Sequence, residues 1–345
     1  MRKTRVFILP ILILVGLTYF NPDSRSRGHL RVKINGVNLV GTPYPVNSDD
    51  LSDIGMIQAG WVSVIPYAFS LRNKPEVYYN SEKQWWGERI EGIVSLSSGI
   101  RSNRMKIMIK PHVWVKGEGW PGNYALQSET DWQTWEEEYS RYILTFAQLA
   151  ESLHAEIFCI GTEFRKTAVI RASFWKNLIR RVRKIYHGKI TYAANWDNYK
   201  SIPFWDHLDF IGIDAYFPLS SSQTPSIEEL VRAWKPVENQ LRKFSLKHNK
   251  PILFTEYGYR SCDYNCSGHW DLENKSVSVN MKAQYNAYSA FYKTFWDKEW
   301  ISGGFLWKWY PDMSNAGGSS HAEYTPQNKP AMKIIDKYYS LTSTF

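Results

Sequence analysis

The chain has 345 residues, 43% of them hydrophobic and 22% charged, which excludes wholesale disorder and allows a substantial buried core. Its net charge is +9, but Arg2, Lys3, Arg5, Arg25 and Arg27 place much of that in the first 28 residues. The remainder is mild for so long a body and gives no footprint for nucleic acid.

Taken in chain order, the first feature is an apolar run from Val6 to Phe20 behind Arg2, Lys3 and Arg5, the layout of an export signal. The run is short for a spanning helix, which needs about 20 residues, and Pro10 and Gly16 interrupt it. Residues 1–28 therefore read as a signal peptide or membrane anchor with its linker, and cleavage and retention both stay open. The expectation is an exported protein, monomeric, that meets a membrane only through this segment.

From residue 29 to 345 no low-complexity stretch or long linker intervenes. Apolar, β-rich runs are predicted as strands at Gly36–Gly41, Trp61–Phe69, Met105–Val115, Glu156–Phe164, Lys189–Trp196, Asp209–Tyr216, Pro251–Tyr259 and Ser302–Trp309. Several are hydrophobic throughout, as parallel strands buried on both faces require. Helical patterns separate them at Lys83–Ser102, Trp132–His154, Ser173–Tyr186, Ser226–His248 and Val277–Asp297, with shorter pieces near 51–59 and 201–207 and a last one at Lys329–Tyr339. Eight strands with intervening helices predict an α/β fold, a single-domain (β/α)8 TIM barrel. The rival is a doubly wound open sheet, but its Gly-rich phosphate turn is missing after the first strand, where the chain reads GVNLVGTPYP.

In such a barrel the functional residues project from the C-terminal strand ends. Those positions hold Tyr67, His112, Trp114, Glu163, Asn195, Trp196, Asp197, Asp214, Tyr216, Glu256, Tyr257, Tyr259, Trp307 and Trp309. Polar and aromatic side chains at the ends of apolar strands add nothing to strand stability and suit a lined cleft. Sixteen Trp, 22 Tyr and 16 Phe suit a surface that grips flat, amphipathic ligands such as sugar rings. Glu163 and Glu256 end the fourth and seventh strands, nearly across the barrel from one another. Two carboxyls facing each other over a ligand are what glycosidic hydrolysis needs: one protonates the leaving oxygen and the other attacks or stabilises the anomeric carbon.

The segments KPHVWV, IGTEF, FIGIDAYFP, ILFTEYGY and GGFLWKWYP, in this order, resemble glycoside hydrolase family 113 of the retaining clan A, whose characterised members are β-mannanases. The likeness spans roughly residues 33–340. It implies a retaining double displacement with Glu163 as acid/base and Glu256 as nucleophile, acting on a β-1,4-linked mannose-containing polysaccharide or oligosaccharide. Many clan A enzymes carry Asn just before the acid/base residue. Here that position is Thr162, and Asn195 one strand along is the alternative source of an amide. The same mechanism on β-glucan or xylan, a transglycosylase, and a non-catalytic carbohydrate-binding barrel are the alternatives.

The remaining assignments are substrate contacts. Trp307 or Trp309 floors the subsite of the reacting sugar, Tyr216 or Tyr257 hydrogen-bonds Glu256, and His112 bonds a substrate hydroxyl or tunes Glu163. Asp214 binds or orients substrate, while Trp114, Trp120 and Trp196 extend the cleft. Lys110 is expected to pair with a carboxylate inside the barrel mouth. Cys262 and Cys266, four residues apart in a polar loop, are expected to form a disulfide after export, and Cys159 to be buried. The His and Cys spacing offers no metal site, and no cofactor is expected.

Overall fold

The computed structural model describes residues 32–268 and 277–343. The leader at 1–28 lies outside the described residues. Eight parallel strands close into a barrel in the order β1, β11, β10, β9, β8, β7, β5, β2. They are β1 (Ile34–Leu39), β2 (Trp61–Val64), β5 (Lys106–Ile109), β7 (Ile157–Thr162), β8 (Lys189–Asn195), β9 (Ile211–Asp214), β10 (Ile252–Tyr257) and β11 (Ile301–Trp309). The (β/α)8 expectation is met, and all eight strands coincide with predicted ones.

Two predicted strands are longer than the barrel can use. Pro66 and Pro111 supply no backbone N–H, and each follows the end of a barrel strand by two residues. Beyond them the chain continues as β3 (Tyr67–Leu71) and β6 (His112–Lys116), which pair in parallel and join β4 (Tyr78–Tyr79) in a small second sheet. Tyr67 pairs with His112 and Phe69 with Trp114. Strand alternation turns these four to one face, while Ala68, Val113 and Val115 are buried on the other.

The barrel interior and the layer around it are separate cores. Inside, Met108, Ile157, Leu253 and Phe305 meet in a small cluster. Outside, the strands pack against helices α1 (Ile90–Ser102), α2 (Glu129–Ser152), α3 (Arg165–Ile170), α4 (Ala172–Val182), α5 (Ile227–His248), α6 (Met281–Phe295) and α7 (Ala331–Ser340). Helix α2 starts where Ser128 accepts the Asp131 N–H at 3.0 Å, and α5 where Ser226 accepts the Glu229 N–H at 3.1 Å. Helix α4 turns Trp175, Leu178, Ile179 and Val182 inward and leaves its arginines outside, the outer helix its periodicity describes.

Most of the aromatic surplus belongs to this outer layer rather than to a ligand surface. Trp135, Trp175, Trp205, Trp234, Trp296 and Trp309 are wholly buried. Trp135 stacks on Tyr139 with centroids 4.9 Å apart, and Tyr257 on Phe291 at 4.5 Å. Phe305 sits where Gly36 leaves room: a Cβ on that glycine would lie 2.4 Å from the ring. Phe305→Ala should therefore open a cavity inside the barrel and cost about 3–5 kcal/mol in denaturant unfolding. An equal loss is expected from no exposed aromatic such as Tyr44.

Candidate active site

The two glutamates reach the barrel mouth through local irregularities in their strands. Between β10 and β9, Phe254 pairs with Ile213 and Glu256 with Asp214, so β10 carries one extra residue. Between β7 and β8, Cys159 pairs with Thr191 and Thr162 with Ala193, again with an extra residue on the glutamate's strand. Such bulges re-aim side chains next to functional sites. Glu163 follows with φ of 55°, a left-handed conformation that a non-glycine residue holds only when its surroundings impose it. Its N–H is tied to the Ala193 carbonyl at 2.8 Å.

Both glutamates line one cleft of about 630 Å³. Around them stand Tyr67, His112, Trp114, Trp120, Tyr216 and Trp307, with Glu118, Arg260, Lys308, Glu323 and Tyr324 at the rim. Glu256 is only 6% exposed. One carboxylate oxygen, Oε1, pairs with the Lys110 ammonium, and the other accepts the Tyr216 hydroxyl at 2.7 Å. Two donors converging on the same carboxyl fit an acceptor that carries charge.

Lys110 is completely buried. Burial works against its charge, but the Glu256 carboxylate and then Asp214 outweigh it and hold the ammonium above the ordinary lysine value. Glu163 lies in the opposite environment. Burial first, then the nearby carboxyls of Asp214 and Glu256, push it well above the usual carboxylate range, which favours its protonated form. Asp214 is pushed up to about 8 by burial and by Glu256, against the pull of Lys110. Thr255 donates to its Oδ1 at 2.7 Å. Burial, then the charge of Lys110, drives His112 well below its ordinary value, leaving a neutral imidazole. Its Nε2 has no hydrogen-bond partner among the described residues, stands 3.6 Å from Glu256 Oε1, and its ring lies parallel to Trp307 with centroids 6.0 Å apart.

The structure brings together only part of the expected set. Glu163, Glu256, His112, Trp114, Tyr216, Trp307 and Trp120 share the cleft wall, and Lys110 makes the carboxylate pair expected of it. Tyr257 does not reach Glu256. It points out of the barrel, where its hydroxyl bonds those of Tyr292 at 2.9 Å and Tyr339 at 2.6 Å. Trp309 is wholly buried away from the cleft. The two-residue spacing fails there because Leu306 pairs with Val37 and Trp309 with Leu39, which inserts one residue and puts Trp307 and Trp309 on opposite sides.

Asp214 is buried beneath the glutamates and does not line the cleft. Asn195 pairs with it in register and is 6% exposed, its side-chain oxygen accepting the Trp196 N–H at 2.8 Å. Trp196 packs against Phe217. Cys262 and Cys266 stand as separate buried thiols, not as a bridge: Cys262 lies in a β-bridge with Val279, while Cys266 faces Asn265. Lys308 sits in β11 between the two tryptophans that sequence singles out, and the rim residues Arg260, Glu323 and Tyr324 lie in irregular loops that it does not. Glu118 was missed for the same reason. Among the described residues no cluster of His, Cys, Asp and Glu could hold a metal ion, and no helix is long and apolar enough to cross a membrane.

Comparison with known proteins carries this geometry to a family. The family model of Glycoside Hydrolase Family 113 matches residues 45–329, and the chain belongs to that family. It is a glycoside hydrolase. Among solved structures, the family 113 β-mannanase AaManA from Alicyclobacillus acidocaldarius, in complex with ManMIm, is 24% identical with a TM-score of 0.78, covering 90% of this chain and 98% of that one. A second family 113 β-1,4-mannanase complex is 22% identical with a TM-score of 0.77, covering 90% of this chain and 99% of the other. A β-glucuronidase from Faecalibacterium prausnitzii shares the barrel more distantly, at 12% identity and a TM-score of 0.56 over 91% of this chain and 50% of that enzyme. No curated protein matches the chain by sequence.

Two variants separate the roles of the tyrosines. Tyr216→Phe removes a donor to Glu256 and should lower kcat with little change in unfolding free energy, whereas Tyr257→Phe should cost about 1 kcal/mol of stability and leave kcat within twofold. Lys110→Met strands a buried carboxylate and should cost about 3–5 kcal/mol. Because folding raises the Lys110 value, its contribution is fully present at neutral pH and is lost only as pH climbs through that raised value. The same variant should move the pH at which activity appears upward, read from kcat/KM against pH.

Proposed function

We propose that the protein is a retaining β-1,4-mannan hydrolase in which Glu256 is the nucleophile and Glu163 the acid/base. The observation that carries this reading is that the two carboxyls share one cleft in unlike surroundings: Glu256 is paired with the Lys110 ammonium, while burial and neighbouring carboxyls push Glu163 well above the usual carboxylate range. Glu256, paired with Lys110 and held by Tyr216, presents a fixed carboxylate to the anomeric carbon. Glu163, kept protonated, donates to the departing glycosidic oxygen.

The steps balance within these two groups. Glu256 Oε forms a bond to the anomeric carbon as the bond to the leaving oxygen breaks, and Glu163 gives that oxygen its proton. Glu163, now ionised, takes a proton from water, whose oxygen displaces Glu256 and regenerates both groups with net retention. Trp307 lines the cleft beside Glu256, where its ring suits the apolar face of a pyranose. His112, neutral and with Nε2 unpartnered, suits a substrate hydroxyl. The mannan assignment is supported by family membership and by the β-mannanases of the same fold. In this reading the apolar leader exports the enzyme or tethers it, where polysaccharide is met outside the cytoplasm.

The nucleophile variant Glu256→Ala should abolish turnover of mannan. With azide added it should convert 2,4-dinitrophenyl β-mannoside to the α-mannosyl azide, whereas Glu163→Ala with azide should give the β-anomer; NMR of the products distinguishes them. Reversed anomers, or full activity in either variant, would remove this mechanism. Glu163→Gln should lower kcat on mannan by about 10²–10⁴-fold. In the wild type, activity should fall as pH rises through the raised Glu163 value, because the acid is then lost. That alkaline fall should disappear for Glu163→Gln acting on the dinitrophenyl substrate, whose leaving group needs no proton.

A further inference from the structure

At the starts of the barrel strands, on the end away from the cleft, a cavity of about 300 Å³ is lined by Val32, Lys33, Asn35, Trp61, Arg104 and Lys106. Its charged residues are all basic. Arg104 and Lys106 are exposed, and neither has a carboxylate partner among the described residues. Lys106 Nζ stands over the half-buried Trp61 ring, 5.3 Å from its centroid. The Lys33 ammonium, by contrast, donates to the carbonyls of Lys298 at 2.7 Å and Ile301 at 2.6 Å. Acids at neighbouring strand starts are committed elsewhere: Glu156 accepts two bonds from Arg101 at 2.7 and 3.0 Å, and Asp209 takes Arg183 and Lys189. The proposed reaction uses none of these groups.

Apolar side chains border the same face. Val32, Met56 and Leu341 are each more than half exposed. Val32 and Leu341 each precede a partner in the backbone bond from the Lys33 N–H to the Thr342 carbonyl, 3.0 Å long. Met56 lies four residues before Gly60, whose N–H donates to the Asn35 carbonyl at 3.0 Å. Unpaired cations beside exposed apolar groups and an indole are the composition of a surface that lies on anionic lipid. The chain also enters the barrel here. Val32 leads into β1, and eleven residues, 21–31, separate it from the apolar run Val6–Phe20. Fully extended they reach at most about 40 Å. A leader kept in a bilayer would therefore hold this face close to the headgroups, at high effective concentration.

We propose that the strand-start face of the barrel docks on an anionic phospholipid bilayer. Arg104 and Lys106 bind lipid phosphates, Trp61 sits at headgroup level, and Val32, Met56 and Leu341 enter the interface. The proposal rests on the tethering reading of the leader and adds to it a contact made by the folded barrel itself. That contact sets orientation, which a tether alone leaves open: with the strand starts on lipid, the cleft at the strand ends opens away from it.

The test floats the full chain with vesicles of phosphatidylcholine, alone or mixed two to one with phosphatidylglycerol. The ratio of anionic to neutral partition coefficients should fall about 30-fold in Arg104→Gln/Lys106→Gln, the effect of removing two cations from an anionic surface. Denaturant unfolding of that variant should match the wild type. In the wild type, anionic vesicles should slow hydrogen exchange in 32–36, 56–61 and 103–107, and not in the cleft segment 118–123. A ratio unchanged within twofold in the double variant, or slowing confined to residues 1–31, overturns the proposal. Slowing of the same segments by inorganic phosphate alone makes the face a free-anion site and overturns it as well. So does slowing that follows protein concentration without lipid, which marks a contact between two copies. Wild-type chain that ignores neutral vesicles would defeat the tether instead. The face is then judged by partition into anionic vesicles, where a difference under twofold between wild type and double variant overturns it.

Discussion

Three carboxyls, Glu163, Asp214 and Glu256, converge on one buried ammonium, that of Lys110. Like charges cannot all ionise in a poorly solvated space, so a single cation supports a single carboxylate. Geometry decides which. Lys110 contacts Glu256 directly and Tyr216 donates to the same group, while Asp214 receives only Thr255. Glu163 and Asp214 are left without that cation and are pushed above the usual carboxylate range. The acid and the nucleophile of the proposed reaction are thus assigned by one shortage of positive charge, without separate devices for each. The neutrality of His112 has the same origin, because burial and the nearby Lys110 both disfavour its cation.

Holding this arrangement requires rigid supports below and around it. Met108, Ile157, Leu253 and Phe305 fill the barrel beneath the carboxyls, and stacked aromatics fix the strands against the helices. Close-packed layers of this kind do not deform continuously. The bulges in β7 and β10 can therefore keep their glutamates aimed at one point, and the left-handed backbone at Glu163 is held in place by its neighbours.

The regular part of this design was legible in the sequence and the irregular part was not. Apolar, β-rich runs, several of them hydrophobic throughout, predicted all eight barrel strands, and a Glu at the end of two of them led to the cleft. Period-two reasoning then failed wherever the chain departs from regular pairing. Trp309 was grouped with Trp307 because an inserted residue in β11 has no sequence mark. Tyr257 was offered beside Tyr216 as a partner of Glu256, although a residue next to an inward Glu faces outward. Pro66 and Pro111 did mark the breaks that send β3 and β6 out of the barrel, and reading them would have shortened two predicted strands. Glu118, Arg260, Glu323 and Tyr324 come from loops whose course only tertiary packing determines.

Those same breaks give the cleft its width. Had strands two and three continued past the prolines within the barrel, Tyr67, Phe69, His112 and Trp114 would have been spread along its wall. By leaving it as a separate sheet, they instead turn one aromatic face toward the cleft, which Tyr67, His112 and Trp114 line. Tyr142 anchors the departure, its single hydroxyl hydrogen shared between the Pro66 carbonyl at 2.8 Å and the His112 carbonyl at 3.0 Å. A buried hydroxyl on α2 thus ties the small sheet to the barrel at the two points where its strands begin. The barrel thus supplies the two carboxyls of the cleft and the appended sheet supplies an aromatic wall beside them, so the two halves of the site come from different layers of one fold.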